Sequence, residues 1–180
     1  MSLDLPRAYA EIKASLQAGG RGLRRLSADE IMALEQSLKS TDPLIRHQAI
    51  MVAAHNSHSE RDLEPTLIEL MRSTLSAEDL VWLLNAARRH IIQGRLKDGD
   101  RLTHEFLEAL KTLLHHKSGQ VVEWTLRTVD ECSAQGIVFR PELAKIKPSL
   151  WSIWNAQNRT ILDLVTYLER KWSERETTNR

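Results

Sequence analysis

Cysteine is nearly missing from this sequence: Cys132 stands alone among 180 residues, so no internal disulfide can form. Placed between Val129 and Ala134, it suits a helix interior as a small apolar side chain and reads as a buried, inert thiol. Long apolar runs are missing as well. None approaches the roughly 20 residues that a membrane-spanning helix requires. Residues 1–16 carry Asp4, Pro6, Arg7, Glu11 and Lys13 where a signal peptide would be apolar. A cytoplasmic protein without a membrane association is the expectation. An excess of one charge is the third absence. The 25 Lys and Arg are set against 24 Asp and Glu, and a net charge of +1 gives no chain-wide field to attract nucleic acid or an anionic surface.

What is present points to helices. Apolar residues are 42% and charged residues 27% of the chain, with only seven Gly and five Pro, a globular composition tilted toward helix formers; strand-like alternation is never sustained. Leu5, Tyr9, Ile12 and Leu16 follow helical spacing, and Gly19-Gly20-Arg21-Gly22 stops that helix. Ser27 and Glu30 form a capping box ahead of Ile31, Leu34 and Leu38. Asp42-Pro43 opens a third helix carried by Ile45, Ala49 and Val52. After a loop from His55 to Ser59 comes a fourth helix with Leu63, Leu67, Leu70 and Met71 inward. Ser76 caps a fifth, whose Leu80, Leu83, Leu84, Ala87 and Ile91 give the clearest periodicity in the chain.

A polar turn is expected from Gly94 to Asp100. Phe106, Leu107, Leu110, Leu113 and Leu114 then mark a sixth helix, and Val122, Thr125, Leu126 and Val129 a seventh that Gly136 stops. Pro141 opens another helix, and Pro148 disfavours helical geometry at Lys147, so a break is expected there. Ile161, Leu164, Val165, Leu168 and Trp172 form a last amphipathic helix. Trp151, Trp154 and Trp172 are expected to build a cap over the last apolar face, and residues from Ser173 on to fray.

Segments around Ile45, Leu83 and Val121 lie 38 residues apart and align without gaps, with Ala49 matched to Ala87 and Thr125. Small residues at such positions let stacked helices approach closely. The first segment, Asp42-Pro43-Leu44-Ile45-Arg46-His47-Gln48-Ala49, resembles the HEAT-repeat motif, in which an Asp-Pro turn precedes an aliphatic residue, an Arg and a core Ala. In the other two segments Leu80 and Leu84, then Ser118 and Val122, stand where Asp42 and Arg46 do, so no continuous Asp–Arg ladder is implied. The resemblance implies an all-α fold, a right-handed superhelix of about eight helices in stacked antiparallel pairs. The expected organisation is a single domain over 1–180, with an N-terminal helix and Gly-rich loop (1–22), three helical repeats (23–136), capping helices (137–173) and a tail (174–180).

Candidate chemistry is sparse. Seven histidines include an H-x-x-H at His55 and His58, but no C-x-x-C, H-E-x-x-H or paired E-x-x-H accompanies it, so no metal is expected and those histidines read as solvated loop residues. No nucleophile sits in a recognisable turn, no cofactor is implied, and a non-enzymatic protein is the expectation. Arg21, Arg24 and Arg25 concentrate on one glycine-rich loop, a weak phosphate-contact candidate and otherwise a solvated linker.

Trp82 and Trp124 fall off the core stripes of their helices, which leaves two readings open: each packs on the adjacent repeat, or each lines a groove. Because the second helix of each HEAT pair lines the concave surface, the resemblance places Arg46, His47, Trp82, Asn85, Arg89, Trp124 and Arg127 in a groove that would bind a protein segment as a scaffold does. HEAT-like alkylated-base DNA glycosylases offer the alternative, with Asp130 beside Trp124 and Arg127 in the catalytic place; the balanced charge disfavours nucleic acid. Partner identity and oligomeric state are left open by the sequence.

Overall fold

The computed structural model describes residues 3–22, 24–58, 60–148 and 155–178. Helix dominates, and among the described residues the sole extended pairing is an isolated bridge between Arg24 and Asn56. No described helix is long and apolar enough to cross a membrane. The chain divides into two compact units, Met1–Arg101 and Leu102–Arg180, and the division falls between the second and third of the 38-residue segments.

The first unit begins with α1 (Leu5–Gln17), capped by Asp4, whose side chain accepts the Arg7 N–H. Its buried stripe is Leu5, Ala8 and Ile12, with Tyr9 and Leu16 only half-buried. The expected capping box starts α2 (Ala28–Leu38): the Ser27 hydroxyl accepts the Glu30 N–H while the Glu30 carboxylate accepts the Ser27 N–H. Helix α3 (Pro43–Ala54) opens with Pro43 in its first turn and the Asp42 carboxylate accepting the Leu44 N–H at 2.8 Å. A short 3-10 turn, Arg61–Leu63, leads into α4 (Glu64–Met71), and Ser76 caps α5 (Ala77–Ala87) through the Asp79 N–H.

Helix α3 packs against α1, α2 and α5, and α4 packs against α5, so α1, α3 and α5 form one layer with α2 and α4 behind it. That layering is compatible with stacked helix pairs. Ala8, Ala49, Ala53, Ala86 and Ala87 are all fully buried, and side chains this small let the layer close up.

Three expectations between Pro43 and Gly99 are corrected. Ile45 is 39% exposed, because the inner face of α3 runs through Ala49, Ile50 and Ala53 instead. The expected turn at Gly94 is helix: α5 continues without a break into a π-helical segment, Arg88–Gln93, and then α6 (Gly94–Lys97). Widening the helix there inserts an extra residue, which allows His90, Ile91 and Ile92 all to be buried in succession; the turn is delayed to Asp98 and Gly99. The loop residue His55 is buried rather than solvated, with its Nδ1–H donated to the Met51 carbonyl at 2.8 Å.

The second unit contains α7 (His104–Leu114), α8 (Gly119–Glu131), a 3-10 segment Ser133–Phe139, α9 (Arg140–Ile146) and α10 (Ala156–Thr178). Helix α8 packs on both α7 and α10. The core is Phe106, Leu110, Leu113 and Leu114 from α7, Val121, Leu126 and Val129 from α8, and Ile161, Val165, Leu168 and Trp172 from α10. Helix α9 ends before Pro148 as expected. Trp151 and Trp154 lie outside the described residues. The helix of the C-terminal segment runs on to Thr178, where fraying was expected from Ser173.

Ala49, Ala87 and Thr125, which recur at 38-residue spacing, are each completely buried on α3, α5 and α8. Thr125 is tolerated there because its hydroxyl donates to the Val121 carbonyl at 2.7 Å, one turn back.

Candidate functional site

The expected site residues fall in both units. Arg46 and His47 sit on α3, Trp82 and Asn85 on α5, and Arg89 in the π-helical segment that continues α5. Trp124 and Arg127 sit on α8 of the second unit.

Two of the first five are used as internal ties. Arg46 donates to the Ser40 carbonyl at 3.1 Å, just beyond the end of α2. His47 donates from Nδ1 to the Asp79 carboxylate at 2.6 Å and meets the Tyr9 ring edge-on with centroids 5.8 Å apart. This joins α1, α3 and α5 near their N-terminal ends.

Trp82, Asn85 and Arg89 form a different group. They follow one another at i, i+3 and i+7 along a single helical stripe, and each is half-buried. Trp82 lies on the His55 ring with centroids 5.2 Å apart and planes tilted by 48°, leaving part of the indole uncovered. Asn85 donates to the Val81 carbonyl and accepts from Arg88 at 3.4 Å. Arg89 is the exception to this local pairing. Its Nε is buried and has no hydrogen-bond partner, as is true of Arg24 and Arg88, but those two bond to Glu11, Glu30 and Asn85 through their Nη atoms, whereas Arg89 has no such bond among the described residues. Burial, and then the adjacent charge of Arg88, hold its guanidinium below the ordinary arginine value, and no carboxylate acts in the opposite sense. Guanidinium remains charged at neutral pH regardless.

His90, the next residue, anchors the backbone of this segment. Its Nε2 faces the Ala53 carbonyl at 2.9 Å and its Nδ1 faces the Glu60 N–H at 2.8 Å. A carbonyl can only accept and an amide N–H can only donate, so the ring is the neutral tautomer with its proton on Nε2. Burial pushes the imidazole down to about 4, against the raising effect of the Ala53 bond and with a further lowering from Arg89. His90 thus pins the π-helical segment to α3. Sequence periodicity misses this residue because a π insertion breaks the 3.6-residue period at the point where it occurs.

In the second unit, the Arg127 guanidinium lies 5.9 Å from the centre of the Trp124 ring and is bonded to Glu123 at 2.8 Å. Trp124 is half-buried and Arg127 exposed. Asp130 is ion-paired with Lys171 of α10 at 2.5 Å. A cavity of about 390 Å³ lies at the start of α8, floored by Leu114, Val122 and Ile161 and rimmed by His116 and Lys117. The Cys132 thiol is buried, and burial pushes it up to about 12, with Glu131 and Asp130 adding to the effect.

The glycine-rich loop is not the solvated linker expected. Arg24 donates to Glu11 and Glu30, both at 2.8 Å, and its backbone pairs with His55 and Ser57. Gly22 makes this possible at φ +62°, since a Cβ there would stand 3.2 Å from both His55 and Ile12. Arg21 and Arg25 are exposed, whereas Arg24 is half-buried. Among the described residues no group of His, Cys, Asp and Glu is arranged to hold a metal ion. Compared with known proteins, the chain matches no family model and no curated protein.

Proposed function

We propose that this chain is a non-enzymatic protein-interaction module of the cytoplasm, in which HEAT-like stacking of helix pairs presents the Trp82–Asn85–Arg89 stripe of α5 to a segment of a partner protein. The observation that carries this reading is Arg89. A half-buried guanidinium without an acceptor on Nε, two helical turns along the same stripe from a half-buried tryptophan, is costly in an isolated protein and useful at an interface. Tryptophan and arginine are also the residue types that contribute most to binding when an interface covers them. Arg46 and His47 are bonded within the first unit, and Arg127 is already paired with Glu123.

The test compares the full chain with a Trp82→Ala/Arg89→Glu double variant as immobilised bait in native-cell extract, with captured proteins quantified by mass spectrometry. A partner retained by the natural chain should be lost from the variant at an unchanged melting temperature. Equal retention by both baits overturns the reading.

A further inference from the structure

Several arginines of this chain have carboxylate acceptors supplied from within. Arg7 pairs with Glu11, Arg24 with Glu11 and Glu30, and Arg127 with Glu123. The most telling comparison is Arg95, on the same continuous helical run as Arg89. Its Nε lies 2.9 and 2.8 Å from the two carboxylate oxygens of Glu64, a residue only 5% exposed. Arg89 has a buried Nε in the same position on its side chain, and no such carboxylate reaches it. Its charged neighbour on the helix is another arginine, Arg88, so the local field is positive.

The segment that carries Arg89 is also held in place. His90 fastens it to the Ala53 carbonyl and the Glu60 amide, so the backbone from which the Arg89 side chain projects is fixed. A partly desolvated guanidinium fork is a form in which arginine recognises a carboxylate with two parallel hydrogen bonds. The stripe from Trp82 to Arg89 spans about 10 Å along the helix at 1.5 Å per residue, which matches side chains two turns apart on a partner helix or three to four residues of an extended strand.

We infer that the occupant of this stripe is an acidic protein segment: one Asp or Glu carboxylate docks on the Arg89 guanidinium, and an apolar side chain of the same segment covers the open part of the Trp82 ring. The inference rests on the reading of the stripe as a binding surface and adds the chemistry of the partner. A net charge of only +1 on the chain favours a short acidic segment over a polyanion that needs many cations at once.

The probe is a fluorescein-labelled 15-residue peptide of Glu, Ala and Leu, set against the same peptide with every Glu replaced by Gln and against a labelled DNA duplex. Binding to the full chain is followed by anisotropy at two salt concentrations. The Glu peptide should bind more tightly than the Gln peptide, and more weakly as salt rises. Arg89→Gln should weaken the Glu peptide by roughly tenfold to hundredfold, and Arg89→Lys, which keeps the charge without the fork, by less. The melting temperature should not fall in either variant, since no internal acceptor is lost. Equal affinity for the two peptides, no binding of either, or an affinity indifferent to Arg89→Gln overturns the inference. So does duplex binding that requires Arg89 while the peptides stay unbound. Extract capture that depends on Trp82, together with indifference to peptide charge, leaves the interaction function standing and removes the acidic partner alone.

Discussion

The α3–α5 seam of the first unit and the α8–α10 seam of the second solve one packing problem by different chemistry. In the first, alanines close the helices together and polar side chains cross-link them: His47 to Asp79, His55 to Trp82, and His90 to the backbone at Ala53. In the second, the centre is apolar, with Val165, Leu168 and Trp172 buried, and the ties are at the margins, Gln157 to the Gly119 carbonyl and Lys171 to Asp130. A seam fastened by a buried neutral histidine is specific in register and sensitive to protons. One fastened by aliphatic and indole surface depends on volume and ignores pH in the range where His90 titrates. The stripe with the unsatisfied arginine belongs to the first kind, where the helix is held by hydrogen bonds instead of being smothered in apolar contacts.

The largest effect should come from the apolar seam. Trp172→Ala removes a side chain only 2% exposed and should cost about 3–5 kcal/mol by denaturant unfolding, with faster hydrogen exchange in α8 and α10. An effect below 1 kcal/mol would remove the distinction.

Acid should act on the other seam. The folded-state value for His90 lies near 4, below the ordinary 6.5, so its contribution is complete above pH 6.5 and is lost as pH falls toward 4. The loss should approach about 3 kcal/mol at 1.36 kcal/mol per pH unit. Glu30 and Glu35 in the same unit, and Glu108 and Glu142 in the other, are held below their ordinary 4.5, so their contributions fade only at lower pH. Hydrogen exchange between pH 6.5 and 4.5 should therefore loosen α3 and the π-helical segment before α8 and α10, and His90→Gln should flatten that dependence. Loosening that begins in α8 would contradict the assignment.

A smaller cost is expected at Gly136, where an added methyl would stand 3.0 Å from the Val129 carbonyl oxygen and 3.3 Å from the Trp172 ring. Gly136→Ala should destabilise the second unit by about 1–3 kcal/mol, read from denaturant midpoints. Least of all, Lys171→Met should change stability by about 1 kcal/mol or less, because Lys171 and Asp130 are 26% and 32% exposed and water screens them.

Much of this was legible from the residues alone. The caps at Ser27, Asp42 and Ser76, the core stripe of α5 and the 38-residue recurrence of Ala49, Ala87 and Thr125 all depend on local chemistry or fixed spacing, and the structure has them where the spacing puts them. Helix α5 was expected to stop at Gly94, because glycine disfavours helix in an isolated segment; tertiary burial of Gly94 overrides that preference. Ties such as His47–Asp79 and His90–Ala53 join residues more than 30 positions apart, and no periodicity reports them. The site was legible in part: Trp82, Asn85 and Arg89 were visible as an off-core stripe, whereas the internal use of Arg46, His47 and Arg24 depends on partners that only folding brings near.

The most direct measurement is hydrogen exchange of the full chain with and without saturating Glu peptide. Slower exchange concentrated in residues 77–97, and absent in Arg89→Gln, is the expected result. Protection confined to other helices, or protection of 77–97 that survives Arg89→Gln unchanged, would contradict it.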